Sequence, residues 1–300
     1  MKQTTSHVLM IRPVRFGYNT QTAGSNRFQH HENTGENVQE IAVREFDRFV
    51  DVLQENGVYV TVVEDKPEPH TPDSLFPNNW ISFHENGQVF LYPMQAENRR
   101  AERRNDIIAK LAPSASVTDL SRYENENRFL EGTGSMVLDR ANAMAYACLS
   151  PRTDPGLVDL FCRESGFKAI LFDAVDADGV PIYHTNVLMG IGGQFAVICL
   201  DAIPNHLEKE AVKTALESTG KDIIPISFTQ MNAFAGNILQ VESNTGEHLL
   251  ILSQTAFDSL DVHQIQRLGK YSRLLPVSIP VIETIGGGSV RCMLAEIFPA

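Results

Sequence analysis

The sequence predicts an α/β fold in which five similar units, each made of two strands, a helix and a third strand, close into a ring. Three observations carry that expectation. One phrase recurs along the chain: apolar run, polar turn, apolar run, amphipathic stretch, apolar run. The turn centres near Asn86, Ala141, Gly193 and Thr245 are separated by 55, 52 and 52 residues, a fixed period of the kind that marks repeat architectures. The first unit lacks a strand at its start, and the last apolar run, residues 292–298, can supply it.

Unit one opens with HVLMIRP, continues through a helix over residues 36–57 and ends in YVTVVE. Unit two reads WISFH, the turn ENGQ, VFLYPM, a helical stretch over 96–112 and SVTDLS. In that stretch Ile107, Ile108 and Leu111 share a face opposite arginines, as an amphipathic helix requires. Unit three reads SMVL, DRAN, AMAYACLS and, after Pro155, a helix over 156–166 and KAILFDA. Unit four reads NVLMGI, GGQ, FAVICLDAI, a helix over 205–220 and DIIPIS. Unit five reads NILQVES, NTGE, HLLILSQ, a helix over 257–269 and RLLPVSI. Each unit needs neighbours to cover its apolar side, and a final strand that completes the first unit favours a closed ring over an open stack. A single domain over residues 1–300 is the expected organisation.

A chain of 300 residues with 43% hydrophobic and 21% charged content can bury a large core. The formal charge of −12 argues against a nucleic-acid partner, because phosphate neutralisation needs clustered Lys and Arg. No apolar run reaches the length of a membrane span, and nothing at the start resembles a secretory signal. The four cysteines, at 148, 162, 199 and 292, have no metal-ligand spacing. The expectation is a protein of the reducing cytoplasm with a small-molecule partner, no membrane, no cofactor and no metal. Any outward helix of a ring could carry a homodimer patch, so oligomeric state is not legible. The polar segment 25–37 reads as an irregular loop able to cover a cavity mouth, although a plain surface loop is the commoner explanation.

Equivalent positions in a ring converge on its axis. Just before the first full strand of successive units stand Asn79, Glu131, His184, Asn237 and Cys292, at separations of 52, 53, 53 and 55. A thiol, an imidazole and a carboxylate delivered to one hollow make a nucleophile, a proton carrier and an orienting acid. Cys148, Cys162 and Cys199 each sit inside an apolar run and read as packing residues. Cys292 follows Arg291 and three glycines, a setting that could lower a thiol pKa and admit a ligand. Taken singly, His184 reads as an ordinary strand-edge histidine and Glu131 as a turn residue of EGTG; the shared period is what raises them.

The motifs FPNNW, LEGTG, HTN at 184–186, LSPRT around Arg152 and GGGSVRCM, in that order over nearly the whole chain, resemble the guanidine-modifying, or pentein, superfamily. The resemblance implies a five-bladed α/β propeller of ββαβ units. It implies Cys292 as nucleophile, His184 as general acid and then base, Glu131 as the residue holding the imidazole, and Arg152 as the ligand of a substrate carboxylate. For Arg152 a surface arginine near a helix start is the plain alternative. Arginine-processing members usually carry aspartates where Asn79 and Asn186 stand. A buried guanidinium without a counter-charge costs several kcal/mol, whereas a neutral ureido group suits two amides. Asn78 in place of Asn79, or a merely structural turn, remains open.

Within the superfamily the chain most resembles the citrulline-utilisation hydrolases, and the opening IRPVRFGYNTQTA shares that look. The expected reaction takes citrulline to ornithine, ammonia and carbon dioxide through an S-carbamoyl enzyme, with Asn237 or backbone N–H groups of GGGSV facing the oxyanion. The alternative is an arginine deiminase-like or dimethylarginine hydrolase-like guanidino hydrolase, or an amidinotransferase. A non-catalytic binding protein on the same fold, like the ribosome anti-association factor, is disfavoured by the intact trio and the acidic charge.

Overall fold

The computed structural model describes residues 1–30 and 37–298. Five sheets of three strands are present among them. The first joins β1 (His7–Arg12), β2 (Tyr59–Glu64) and, from the far end of the chain, β15 (Ala295–Glu296). The others follow in chain order: β3 (Ile81–Phe83), β4 (Gln88–Leu91) and β5 (Ser116–Asp119); β6 (Val137–Asp139), β7 (Met144–Cys148) and β8 (Lys168–Phe172). Next come β9 (Met189–Ile191), β10 (Phe195–Ile198) and β11 (Asp222–Pro225), then β12 (Leu239–Glu242), β13 (His248–Ser253) and β14 (Arg273–Val277). In every sheet the middle strand pairs antiparallel on one side and parallel on the other, the parallel strand being reached through helical chain.

The middle strands explain why the apolar runs are continuous rather than alternating. Val8 and Met10 of β1 pack with Leu249 and Ile251 of β13, while Leu9 and Ile11 pack with Trp80 and Ile81 of the second unit. In β4, Val89 and Leu91 join the first unit's cluster and Phe90 joins that of the third. Successive side chains point to opposite faces, and here each face meets a different neighbour. The fifth unit also touches the first through Glu242 N–H donating to Thr5 O (3.0 Å) and Asn244 N–H to Gly57 O (2.8 Å).

Two helical expectations are modified. The stretch 96–112 is two short helices, Glu97–Arg100 and Asn105–Leu111, and Arg99 is buried rather than on a solvated face. The stretch 257–269 is likewise split, into Gln254–Ser259 and Val262–Leu268, because Asp261 forms a capping box that starts a new helix. Among the described residues no helix is long and apolar enough to cross a membrane, and no group of three or more His, Cys, Asp or Glu could hold a metal ion.

Candidate active site

The residues at equivalent positions sit on short turns that lead into the first strand of their units. Asn79 ends the turn Pro77–Asn79, Glu131 caps Gly132–Ser135 and His184 caps Thr185–Leu188. Asn237 lies two residues before β12, and Cys292 lies in the turn before β15, its N–H donating to Ser289 O. The approach to Cys292 begins with a single π-helical turn, Ile282–Gly286. Gly287 has φ +64°, and a Cβ there would lie 2.6 Å from Asn26 Nδ2. Gly286 and Gly288 let the ring of Phe76 close on the backbone, where a Cβ would come within 3.0 and 2.8 Å of it. The glycines therefore serve close approach of two other segments to the thiol's own loop.

Cys292, His184, Asn79 and Arg152 line one cavity of about 20 Å³, room for about one water. The imidazole Nε2 lies 2.8 Å from Glu131 Oε2. Gln95 N–H donates to Glu131 Oε1 (3.0 Å) and Arg152 Nη1 donates to Oε2 (3.4 Å). Burial opposes ionisation of Glu131, but the charge of Arg152, the bond to His184 and the charge of Arg99 outweigh it and hold the carboxyl well below its usual range. An ionised carboxylate only accepts, so Nε2 carries the proton and Nδ1 offers a lone pair. Burial lowers the ring's pKa from 6.5 to about 4, with the bond to Glu131 acting the other way. The resting imidazole is thus a neutral base. We expect its titration, followed by NMR of the labelled ring, to run near pH 4, with kcat/KM not declining as pH falls through 6.5. A midpoint near 6.5 would show that burial does not set the ring.

Gly134 leaves the space beside that base. A Cβ on it would lie 2.7 Å from His184 Nδ1 and 2.4 Å from Asn79 Nδ2. Gly134→Ala is expected to cut kcat by about a hundredfold, because a displacement of that order misplaces the imidazole. Steady-state assays with a melting curve check it, and an active, stable variant would contradict the geometry.

The other candidates are placed as follows. Arg152 lies over the Tyr183 ring at 4.8 Å, with Nη1 on Glu131 and Nη2 on Thr22 O (3.2 Å) and Ser25 Oγ; only Nε is without a partner. Asn79 Oδ1 accepts from Arg99 Nη1 (2.8 Å), and Nδ2 is buried and unpartnered. Asn186 and Asn237 point their Nδ2 atoms at Cys292 Sγ, at 3.5 and 3.3 Å. Asn78 does not line the cavity, and both its side-chain polar atoms are buried without partners. Arg291 is turned from the sulfur toward Leu294 O and Glu296, each at 2.9 Å.

Sequence reasoning missed Asp73, Arg99 and the segment around Thr22. Asp73 lines the cavity; its Oδ2 accepts from Asn19 Nδ2 (2.7 Å) and Thr22 Oγ1 (3.2 Å), and its Oδ1 has no partner. Burial raises its pKa, partly opposed by Arg99. Arg99 makes a two-point pair with Glu102, both contacts at 2.9 Å, and Glu102 and Asp73 keep the cation charged against the pull of burial. Arg99 Nε also lies 3.9 Å from Asp73 Oδ2, so Asp73 shares that cation with Glu102 while its Oδ1 stays without a hydrogen-bond partner. The cavity lining thus holds one carboxyl, Asp73, beside the two cations Arg99 and Arg152. Asn26 and Gln29 donate to Gly287 O and Gly286 O, and of the described part of the polar loop, up to His30, Asn26 lines the cavity; His31 to Glu36 lie outside the described residues. The signals were weak: Asp73 and Thr22 fall outside the repeat register, and Arg99 hides in the arginine-rich run 99–104.

The family model described as N,N dimethylarginine dimethylhydrolase, eukaryotic, matches residues 12–299. No curated protein matches the sequence. Among solved structures, the N-terminal domain of ArgZ, an arginine dihydrolase from the ornithine-ammonia cycle in cyanobacteria, was solved as a mutant bound to substrate. It is 14% identical with TM-score 0.77, the match covering 97% of this chain and 98% of that one. AgrE with L-arginine is 16% identical with TM-score 0.77, over 97% of this chain and 40% of the longer AgrE chain. A dimethylarginine dimethylaminohydrolase adduct with S-methyl-L-thiocitrulline is 16% identical with TM-score 0.66, covering 98% and 99%. At these identities the likeness is one of fold.

Proposed function

The chain belongs to the N,N-dimethylarginine dimethylhydrolase family of the pentein superfamily, hydrolases of C–N bonds, and on that premise we propose that it hydrolyses the terminal group of an arginine-like guanidino amino acid. The observation that carries the reading is one cavity lined by Cys292, His184 held by Glu131, and Asp73, whose Oδ1 has no hydrogen-bond partner. This replaces citrulline as the first choice: Asp73 can meet a cationic group, and the neighbours named for their substrates act on or bind arginine and its analogues. In this proposal the five sheets form a five-bladed propeller, a single domain over 1–300 working in the reducing cytoplasm.

His184 Nδ1 takes the thiol proton, and Sγ attacks the guanidino carbon to give a tetrahedral adduct. The C–N bond breaks as the same nitrogen returns the proton to the leaving amine, leaving an amidino thioether on Cys292. Water, losing a proton to His184, attacks that carbon; the C–S bond breaks and the pair returns to sulfur. Arg152 binds the substrate carboxylate once Thr22 and Ser25 give up its Nη2, a displacement also required by the small cavity.

A second reading, hydrolysis of citrulline to ornithine, is favoured by one atom. Arg99 has donors only and takes Asn79 Oδ1, so Asn79 presents an N–H to the cavity. That donor matches a ureido oxygen and mismatches a guanidinium. Ammonia and amine release over citrulline, arginine, agmatine, dimethylarginine and carbamoyl-putrescine, beside Cys292→Ser, separates the readings. We expect arginine or its methylated forms to be turned over, and exclusive turnover of citrulline would move the assignment to the second reading. Dependence on an added amine would identify an amidinotransferase, and no turnover of any member would overturn both readings. Asn79→Asp is expected to raise kcat/KM for guanidino over ureido substrates by about tenfold, and an unchanged ratio would remove the donor argument.

A further inference from the structure

Two amides that the sequence offers to the oxyanion and the substrate, Asn237 and Asn186, lie instead against the nucleophile. Asn186 stands two residues past His184, and Asn237 comes from the next unit; both are buried, 1% and 2% exposed. Asn237 is held at both ends. Its Oδ1 accepts the backbone N–H of Arg291 (3.1 Å), while its Nδ2 donates to Asn186 O (3.2 Å) and to Cys292 Sγ (3.3 Å). An N–H donor faces only an acceptor, so the Arg291 contact fixes which end of the amide meets the sulfur. Asn186 Nδ2 approaches the same sulfur at 3.5 Å, and its Oδ1 is buried without a partner. The cation next in sequence, Arg291, is occupied by Glu296 and Leu294 O, so the described side-chain donors to Sγ are these two amides.

We propose that Asn186 and Asn237 form a donor pair that stabilises the Cys292 thiolate, rather than serving as ligands of the substrate. The proposal rests on Cys292 being the nucleophile and is independent of which substrate it attacks. When the thiol proton passes to His184 Nδ1, the electron pair left on sulfur accepts both N–H groups, bonds that are stronger to an anion than to a neutral thiol. The same pair forms the S–C bond on attack. When that bond breaks after hydrolysis, the pair returns to sulfur and the two amides again receive it, so they assist the departure of the thiolate as well as its formation. Neutral donors do this without adding a cation beside a cationic substrate.

The test is alkylation of the free, full-length protein by iodoacetamide at neutral pH without substrate, read as the mass increment on the peptide containing Cys292, together with thiolate ultraviolet absorbance. Asn237→Ala and Asn186→Ala are each expected to slow alkylation about tenfold, the near-isosteric Asn237→Asp and Asn186→Asp more, and to lower kcat with KM unchanged. Variants alkylated as fast as the parent, or variants that change KM alone, would overturn the proposal and return the amides to the substrate. Should an alanine variant fail to fold, judged by its melting curve, the aspartate variant decides. If the parent's Cys292 is not labelled ahead of Cys148, Cys162 and Cys199, the nucleophile assignment itself fails, an outcome distinct from equal rates among labelled variants.

Discussion

Replacing Cys292 with serine is expected to lower kcat by about four orders of magnitude or more while leaving KM within a small factor, since covalent machinery fails as a unit when its nucleophile is removed. In the proposed mechanism the site is specific to sulfur. The base that must take the proton, His184, has its pKa held at about 4 by burial, too weak to deprotonate a hydroxyl, whereas a thiol ionises far more readily. The contacts at 3.3 and 3.5 Å from the two amides also suit the larger atom and would be stretched over the shorter side chain. Product release under steady state, with intact mass after an acid quench, checks the result. A serine variant retaining more than about one per cent of activity would refute the nucleophile, as would the absence of any mass increment on the parent's Cys292 peptide under turnover.

Glu131→Gln is expected to cost about three to four orders of magnitude in kcat/KM with the fold intact, the scale seen when a triad carboxylate becomes an amide and its histidine takes the wrong tautomer. The carboxylate receives three donors: Gln95 N–H on one oxygen, His184 Nε2 and Arg152 Nη1 on the other. An amide has a single accepting oxygen. Keeping the Gln95 bond turns NH2 toward both His184 and Arg152; reversing the amide turns NH2 on Gln95. In the first arrangement Nε2 must accept, which moves the ring proton onto Nδ1 and removes the base. Ring-nitrogen NMR reads the tautomer directly, and the kinetic loss should accompany the change. A variant with parental kcat/KM would show that Glu131 only packs.

The repeat was legible because its cause is local. Each unit repeats the same order of strand, tight turn, strand, helix and strand, so turn residues and apolar runs recur at a nearly constant spacing. The same regularity exposed Cys292, His184 and Glu131, since equivalent positions on repeated turns put Cys292 and His184 on one cavity and Glu131 against the imidazole. Asp73 and Thr22 were not legible, because neither occupies the repeated position; they reach the cavity through the chain preceding Pro77 and through the N-terminal segment. Arg99 carries a residue type that normally faces water, and its inward turn is set by Glu102 and Asn79. The split of the stretch 96–112 belongs to the same cause, because a helix that turns Arg99 inward cannot continue with one apolar face.

By itself, then, the sequence determined the α/β units, their number and the residue types delivered to the cavity, for these follow from periodicities of the chain. Only the tertiary structure decided which further charged side chains line the cavity and the direction in which each amide points. Asn79 shows a donor because Arg99 takes its oxygen, and Asn237 meets sulfur with N–H because the backbone of Arg291 takes its oxygen. An amide is nearly symmetric in shape and opposite in polarity at its two ends, so its chemistry is fixed by partners that folding brings from elsewhere in the chain.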